Sequence, residues 1–270
     1  MVELILLAVV LRACVLRPAT NLPGNHFNTG RNAAWLGVEW SMAPHSPEQV
    51  AALAADLRER QIATVYVYVS YLKPDGFNPT YNHAAEFVAN LKATAPDIDV
   101  QGWLGVPLAS GYVDLNDAGD RATIVDFSRF LVEEAGFDGV HLDPEPVPSG
   151  DAVTLALLDE VRAGIGPAAL SISAREITPL FPEADLVINR WFTWRADYYR
   201  QVAARVDQIA VMAYDSHAPI DWLYEQWVRF QVIALTSTLA DAGVEMFIGI
   251  PLRKSTRRRT TRQPRIWRPA

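Results

Sequence analysis

One cysteine, Cys14, stands in a chain of 270 residues. That scarcity excludes an internal disulfide and any zinc site built on thiolates. Long apolar runs are scarce too. The N-terminal run Leu4–Val10 is too short to cross a bilayer. Positive charge is thin outside one end. Residues 253–270 hold 8 of the 24 Lys and Arg and no Asp or Glu, so the other 16 are set against all 31 acidic side chains. An acidic body of this kind repels nucleic acid and anionic lipid, which excludes both as partners of the folded part. No G-x-G-x-x-G follows the first strand-like run, which argues against a dinucleotide fold. Half of the residues are hydrophobic, enough to bury one sizeable core.

From Trp35 onward, short apolar runs alternate with helical periods. "WLGVEW" (Trp35–Trp40), "TVYVYVS" (Thr64–Ser70), "VQGWLGVP" (Val100–Pro107) and "GVHLDPE" (Gly139–Glu145) read as the first four strands. "ALSISA" (Ala169–Ala174), "QIAVMAY" (Gln208–Tyr214) and "MFIGIPL" (Met246–Leu252) read as three more. Between the first two strands, Ser46, Pro47 and Gln49 spell the start of a capped helix. Repeating strand–helix units imply parallel strands, because a parallel pair needs a crossover. Seven units in one run favour a closed (β/α)8 barrel of the TIM type over an open sheet. The barrel is expected over residues 35–252, after a linker at 17–34 rich in Pro, Asn, Gly and Thr.

The two ends read differently. Residues 1–16 read as a signal or anchor segment, or as the product of a miscalled start. "LRAC" at Leu11–Cys14 loosely matches a bacterial lipoprotein cleavage box, but Arg12 interrupts it and Glu3 sits where positive charge belongs. Secretion, envelope anchoring and a cytoplasmic location therefore stay open. Residues 253–270 carry no helix or strand period. A frameshifted or truncated end is expected there in preference to a basic tail with its own role, because seven strands leave two open edges.

Strand four carries the chemistry. Side chains alternate along a strand, so His141, Asp143 and Glu145 share one face, directed into the barrel, while Asp138 is out of phase near the strand's start. Glu145 falls at the C-terminal end, where barrel active sites lie. Two carboxyl groups about 6–7 Å apart along a strand should raise one pKa and keep one proton near neutral pH.

The segment "FDGVHLDPEP" (Phe137–Pro146) resembles the signature of glycoside hydrolase family 18, in which an Asp-Gly pair precedes alternating Asp, Asp and Glu. Asp138, Gly139, Asp143 and Glu145 match it. His141 replaces the middle Asp, and Pro144 stands where a Trp is common. "DQIAVMAYD" (Asp207–Asp215), with the "RADYYRQVAARV" before it, resembles the family's sixth strand and the preceding helix. The resemblance implies substrate-assisted, retaining hydrolysis of β-linked N-acetylglucosamine-containing glycans, in which the sugar's acetamido oxygen is the nucleophile. It implies Glu145 as proton donor, Asp143 as orienting and charge-stabilising group, and Tyr214 as a hydrogen-bond donor to the acetamido group. Asp215, Met212, Asp138 and His141 would line the substrate site. No metal or cofactor is required.

His141 could hydrogen-bond Asp143, yet it cannot take over the proton traffic of a carboxylate unchanged. Trp191 and Trp194 are loop candidates for sugar contact, against the plainer reading of a loop anchor. The strand-eight Trp that usually forms a sugar platform in the family cannot be assigned to Trp267. Two rivals remain: a lectin-like barrel that binds sugar with weak or no turnover, and a glycosidase for another sugar, with Asp143 or Glu39 as nucleophile.

Overall fold

The computed structural model describes residues 30–178, 193–215 and 220–251. The barrel strands are β1 (Asn32–Leu36), β2 (Ile62–Lys73), β4 (Asp99–Pro107), β5 (Gly139–Glu145), β6 (Ala169–Ala174), β7 (Gln208–Val211) and β8 (Glu245–Ile248). They pair in that order and every pair is parallel, while the two-residue β3 (Gly76–Phe77) folds back antiparallel on the end of β2. Helices make each crossover: α1 (Glu39–Met42) with α2 (Pro47–Glu59), then α3 (Ala84–Thr94), α4 (Ala118–Glu133), α5 (Ala152–Ile165), α6 (Ala196–Ala203) and α7 (Asp221–Leu239). The result is a nearly closed barrel on the TIM-type (β/α)8 plan, with one strand–helix unit missing among the described residues.

Alternation divides each strand between two environments. Val65, Val67 and Val69 of β2, Val100 and Leu104 of β4, Val140 and Leu142 of β5, and Leu170 and Ile172 of β6 join Leu57, Leu91, Leu131 and Leu158 of the helices in one buried core. Burying each such side chain contributes roughly 1.5–3 kcal/mol. The helix before β2 starts as its sequence predicts. Ser46 Oγ accepts from the Gln49 N–H, and Gln49 Oε1 accepts from the Ser46 N–H at 2.8 Å, with Pro47 at the first helical position. Across the gap between the two edge strands, Arg31 approaches Glu245 at 3.7 Å. Gly249 lies under Trp35, where an added Cβ would meet the indole at 2.9 Å.

Two strands, Gly139–Glu145 and Ala169–Ala174, have the bounds their alternation predicts. Others differ. The first strand starts at Asn32, inside the expected linker, and ends at Leu36. The Glu39 carboxylate folds back over Gly37, filling the space a side chain there would need, and the chain turns into α1. The ladder between β7 and β8 stops at Val211 and Ile248. Ala213–Asp215 then form a 3-10 turn, so Tyr214 is not on a strand and the seventh predicted strand is shortened. The expected signal or anchor segment and basic tail lie outside the described residues, as does most of the expected linker. Among the described residues no helix is long and apolar enough to cross a membrane.

Candidate active site

The inward side chains form stacked levels. At the base, Gln101 Nε2 donates to Gln208 Oε1 (2.8 Å) and to Asp99 Oδ2 (2.6 Å), and the Tyr66 hydroxyl donates to Gln208 Oε1 at 3.1 Å. Gln208 Nε2 donates to Glu245 at 3.0 Å. Burial raises the Asp99 carboxyl above its ordinary range, opposed by the Gln101 amide. This polar floor ties β2, β4, β7 and β8 together.

His141 occupies the next level and is 0% exposed. Tyr66 stacks on its ring with centroids 3.9 Å apart, while Trp35 and Trp103 meet it edge-on. The Trp35 indole N–H reaches His141 Nε2 at 3.3 Å. An indole nitrogen only donates, so Nε2 must be an acceptor and the ring proton resides on Nδ1. Nδ1 lies 2.7 Å from Ser171 Oγ, whose own proton goes to Gln101 Oε1 at 2.5 Å. Burial lowers the His141 pKa to about 3, so the imidazole is neutral.

Asp143 stands two residues further along. Trp103 donates its indole N–H to Asp143 Oδ2 at 2.9 Å. Oδ1 is sealed from water and has no hydrogen-bond partner. The Asp143 pKa is pushed up to about 7, first by burial and then by the charge of Glu145, with Trp103, Ser173 and Arg175 pulling the other way. One of the two carboxyls therefore holds a proton near neutral pH, as the spacing predicts, and burial is the larger cause. Burial and the nearby Asp143 also push the Tyr68 hydroxyl up to about 12.

Glu145 closes β5 at the C-terminal mouth with 45% of its side chain exposed. The Arg175 guanidinium, just after β6, lies 3.9 Å from Glu145 Oε1. Tyr214, beyond the end of β7, is 45% exposed and packs edge-on against Trp35 at 6.0 Å. An open carboxyl above a sealed, proton-holding one can give a proton to a group entering from solvent while the lower one responds to charge.

Other expected site residues fall elsewhere. His141 is sealed in the barrel and contacts no space a substrate could enter, and its nitrogens engage Trp35, Ser171 and Ser173 instead of Asp143. Asp138 precedes β5 at the opposite end from Glu145. It accepts from Lys92 (2.7 Å) and from the Val100 N–H (2.8 Å), pinning α3 and β4. Trp194 is 1% exposed, donates to the Val147 carbonyl at 3.0 Å and packs edge-on against Tyr198 and Tyr199, so it anchors its loop in the core. Met212 is partly buried just after β7, where its N–H donates to the Ala174 carbonyl. Glu39 opens α1 instead of ending a strand. Trp191 and the side chain of Asp215 lie outside the described residues.

The sequence reading did not single out Trp35, Ser171, Ser173 or Arg175. The signal for three of them was readable: in "ALSISAR" Ser171, Ser173 and Arg175 alternate as His141, Asp143 and Glu145 do on the neighbouring strand. Among the described residues no group of three or more His, Cys, Asp or Glu could hold a metal ion.

No family model matches the chain, and no curated protein matches it by sequence. Solved structures do match its fold. The family GH18 chitinase from Cycas revoluta in complex with allosamidin superposes with a TM-score of 0.56 at 19% identity, over 82% of this chain and 68% of that one. The chitinase domain of the spore coat protein CotE from Clostridium difficile gives 0.54 at 16% identity, over 87% and 67%. The spore cortex-lytic enzyme SleL of Bacillus megaterium QM B1551 gives 0.54 at 14% identity, over 80% and 49%. The match thus spans about two thirds of the first two chains and half of the third.

Proposed function

We propose that the chain is a glycoside hydrolase that cleaves β-linked N-acetylglucosamine-containing glycans, with Glu145 as general acid and base. The observation that carries this reading is the vertical order on β5: Glu145 open at the mouth, and Asp143 sealed beneath it with its proton held to near neutral pH. The fold shared with chitinases and a spore cortex-lytic enzyme supports it.

In this reading the acetamido oxygen of the bound sugar attacks its own anomeric carbon while Glu145 gives its proton to the departing glycosidic oxygen. Asp143, with a pKa near 7, is poised to give its proton to solvent at the mouth as positive charge develops above it, and its carboxylate then stabilises the cyclic cation until the proton returns. Glu145 next takes a proton from water, which opens the ring with net retention. Tyr214, part-exposed over Trp35, supplies a hydroxyl donor at the same end. The roles of Met212 and Asp215 rest on the family resemblance.

A second reading, a carbohydrate-binding barrel with weak or no turnover, draws on His141, where a sealed neutral imidazole replaces a carboxylate. One experiment separates the two. Glu145→Gln is assayed beside the parent protein on a chromogenic chito-oligosaccharide, with binding followed by calorimetry. A loss of about 10²–10⁴-fold in kcat supports the assigned acid. Undiminished turnover in the variant sinks it, and binding without turnover in both proteins establishes the lectin-like barrel.

A further inference from the structure

Ser173 faces two different demands. Its hydroxyl lies 3.0 Å from His141 Nε2. That nitrogen is an acceptor, because the Trp35 N–H points at it, so the Ser173 O–H shares its single lone pair with Trp35. The parallel register sets Leu142 opposite Ile172, which brings Ser173 alongside Asp143 on the inward face. With the hydroxyl turned to His141, Asp143 Oδ1 is sealed and has no partner. A neutral carboxyl tolerates an unpartnered oxygen at lower cost than a carboxylate does. The arrangement therefore suits the protonated form of Asp143 and not the charged one.

We propose that Ser173 is a positioning residue whose hydroxyl turns from His141 to Asp143 when Asp143 loses its proton. Ser173 already stands close enough to Asp143 to favour its charged form, so its hydroxyl proton swings from one partner to the other about the Cβ–Oγ bond without moving the strand. The proton released by Asp143 leaves through the mouth, and none passes to His141. The imidazole keeps its own proton on Nδ1, bonded to Ser171, and Nε2 keeps the Trp35 N–H. His141 thus serves as a fixed resting place for the hydroxyl. A carboxylate in its place would compete for the proton; this imidazole, stacked on Tyr66 and held in one tautomer, does not. The stabilising effect of Ser173 on the charged form of Asp143 agrees with this role.

The charged and titratable groups around the pair are Glu145 on the same strand, Arg175 after β6, and Tyr68 and Tyr66 on β2. The catalytic use of this device rests on the glycosidase reading, but the device itself is tested without substrate.

The test follows Asp143 Cγ and the His141 ring nitrogens by NMR from pH 4 to 9 in selectively labelled full-length protein. In the parent, His141 Nε2 is expected to shift with the same midpoint as Asp143 Cγ while Nδ1 stays protonated. In Ser173→Ala the Asp143 midpoint should rise by roughly 1–2 pH units, the worth of a hydrogen bond to a charged group. Ser173→Thr should restore most of it. An Nε2 signal that stays flat through the Asp143 titration, or a ring that gains a proton in that range, overturns the proposal. That reading needs no variant to fold. An unmoved Asp143 midpoint in a folded Ser173→Ala overturns it as well. Loss of hydrolysis in neither form bears on these signals, so a failure of the device and a failure of the glycosidase reading are told apart.

Discussion

Asp143 and His141 stand two residues apart on one face of β5, and burial moves their protons in opposite directions. Asp143 titrates near 3.8 when unfolded and near 7 when folded. The folded state binds the extra proton in that window, so this residue's stability is full below pH 4 and is lost as pH rises to about 7. His141 titrates near 6.5 when unfolded and near 3 when folded. Its unfolded form binds the extra proton, so stability is present above pH 6.5 and is lost as pH falls toward 3.

Between about pH 4 and 6.5 the two slopes oppose each other, each at most about 1.4 kcal/mol per pH unit. Asp143→Asn should unmask the histidine, giving a protein that weakens steadily on acidification through this window. His141→Gln should unmask the carboxyl, with stability falling as pH rises. Urea unfolding at half-unit pH intervals measures both. If Asp143→Asn follows the same pH curve as the parent, the carboxyl does not hold its proton in the folded state.

Trp194 gives a prediction about stability instead of binding. Its ring is sealed against Tyr198 and Tyr199 and its N–H is bonded to Val147. Trp194→Ala should cost about 3–5 kcal/mol and lower the melting temperature by roughly 10 °C. Trp194→Phe keeps most of the packing and should lose about 1 kcal/mol with the hydrogen bond. Scanning calorimetry compares the three proteins. An unchanged melting temperature with weakened chito-oligosaccharide binding would return Trp194 to the role of a sugar platform.

The barrel was legible because strand alternation and crossover helices leave separate periods in the sequence, and for β5 and β6 even the bounds emerged. Strand ends were less legible where a ladder partner decided them. Nothing local in "QIAVMAY" says that pairing stops at Val211; the extent of β8 does. The same holds for Tyr214, whose place in a turn follows from that stop. In the site, Asp143 and Glu145 could be found from their two-residue spacing. Asp138 already read as out of phase with them near the strand's start, and only the family resemblance placed it in the site; its carboxylate holds Lys92 and the Val100 N–H at the other end of the barrel. For Trp194 the choice between sugar contact and loop anchor stayed open, since a loop position says nothing of burial. The polar partners Ser173 and Trp103 come from neighbouring strands, so their meeting with Asp143 is a matter of register, which one strand's pattern does not contain.

Trp103 offers the most direct handle on Asp143. Phe at this position keeps an aromatic ring against Tyr68 but removes the N–H that now binds Oδ2. The charged carboxylate loses a bond worth about 1.5–3 kcal/mol, while the protonated form loses less, so Asp143 should hold its proton to a pH roughly 1–2 units higher. If hydrolysis needs the ionised form to stabilise a cationic intermediate, the acidic limb of kcat/KM must move upward by the same amount, with the plateau largely retained. The stability lost through Asp143 should also extend to higher pH, by the sign argued above. Trp103→Phe is therefore measured twice, by pH–rate profile and by urea unfolding at pH 6–9. A shift in both ties the proton on Asp143 to the reaction. A shift in unfolding alone, with the rate profile in place, would mean that Asp143 titrates as a buried structural group and that the charge facing the sugar comes from Glu145 alone.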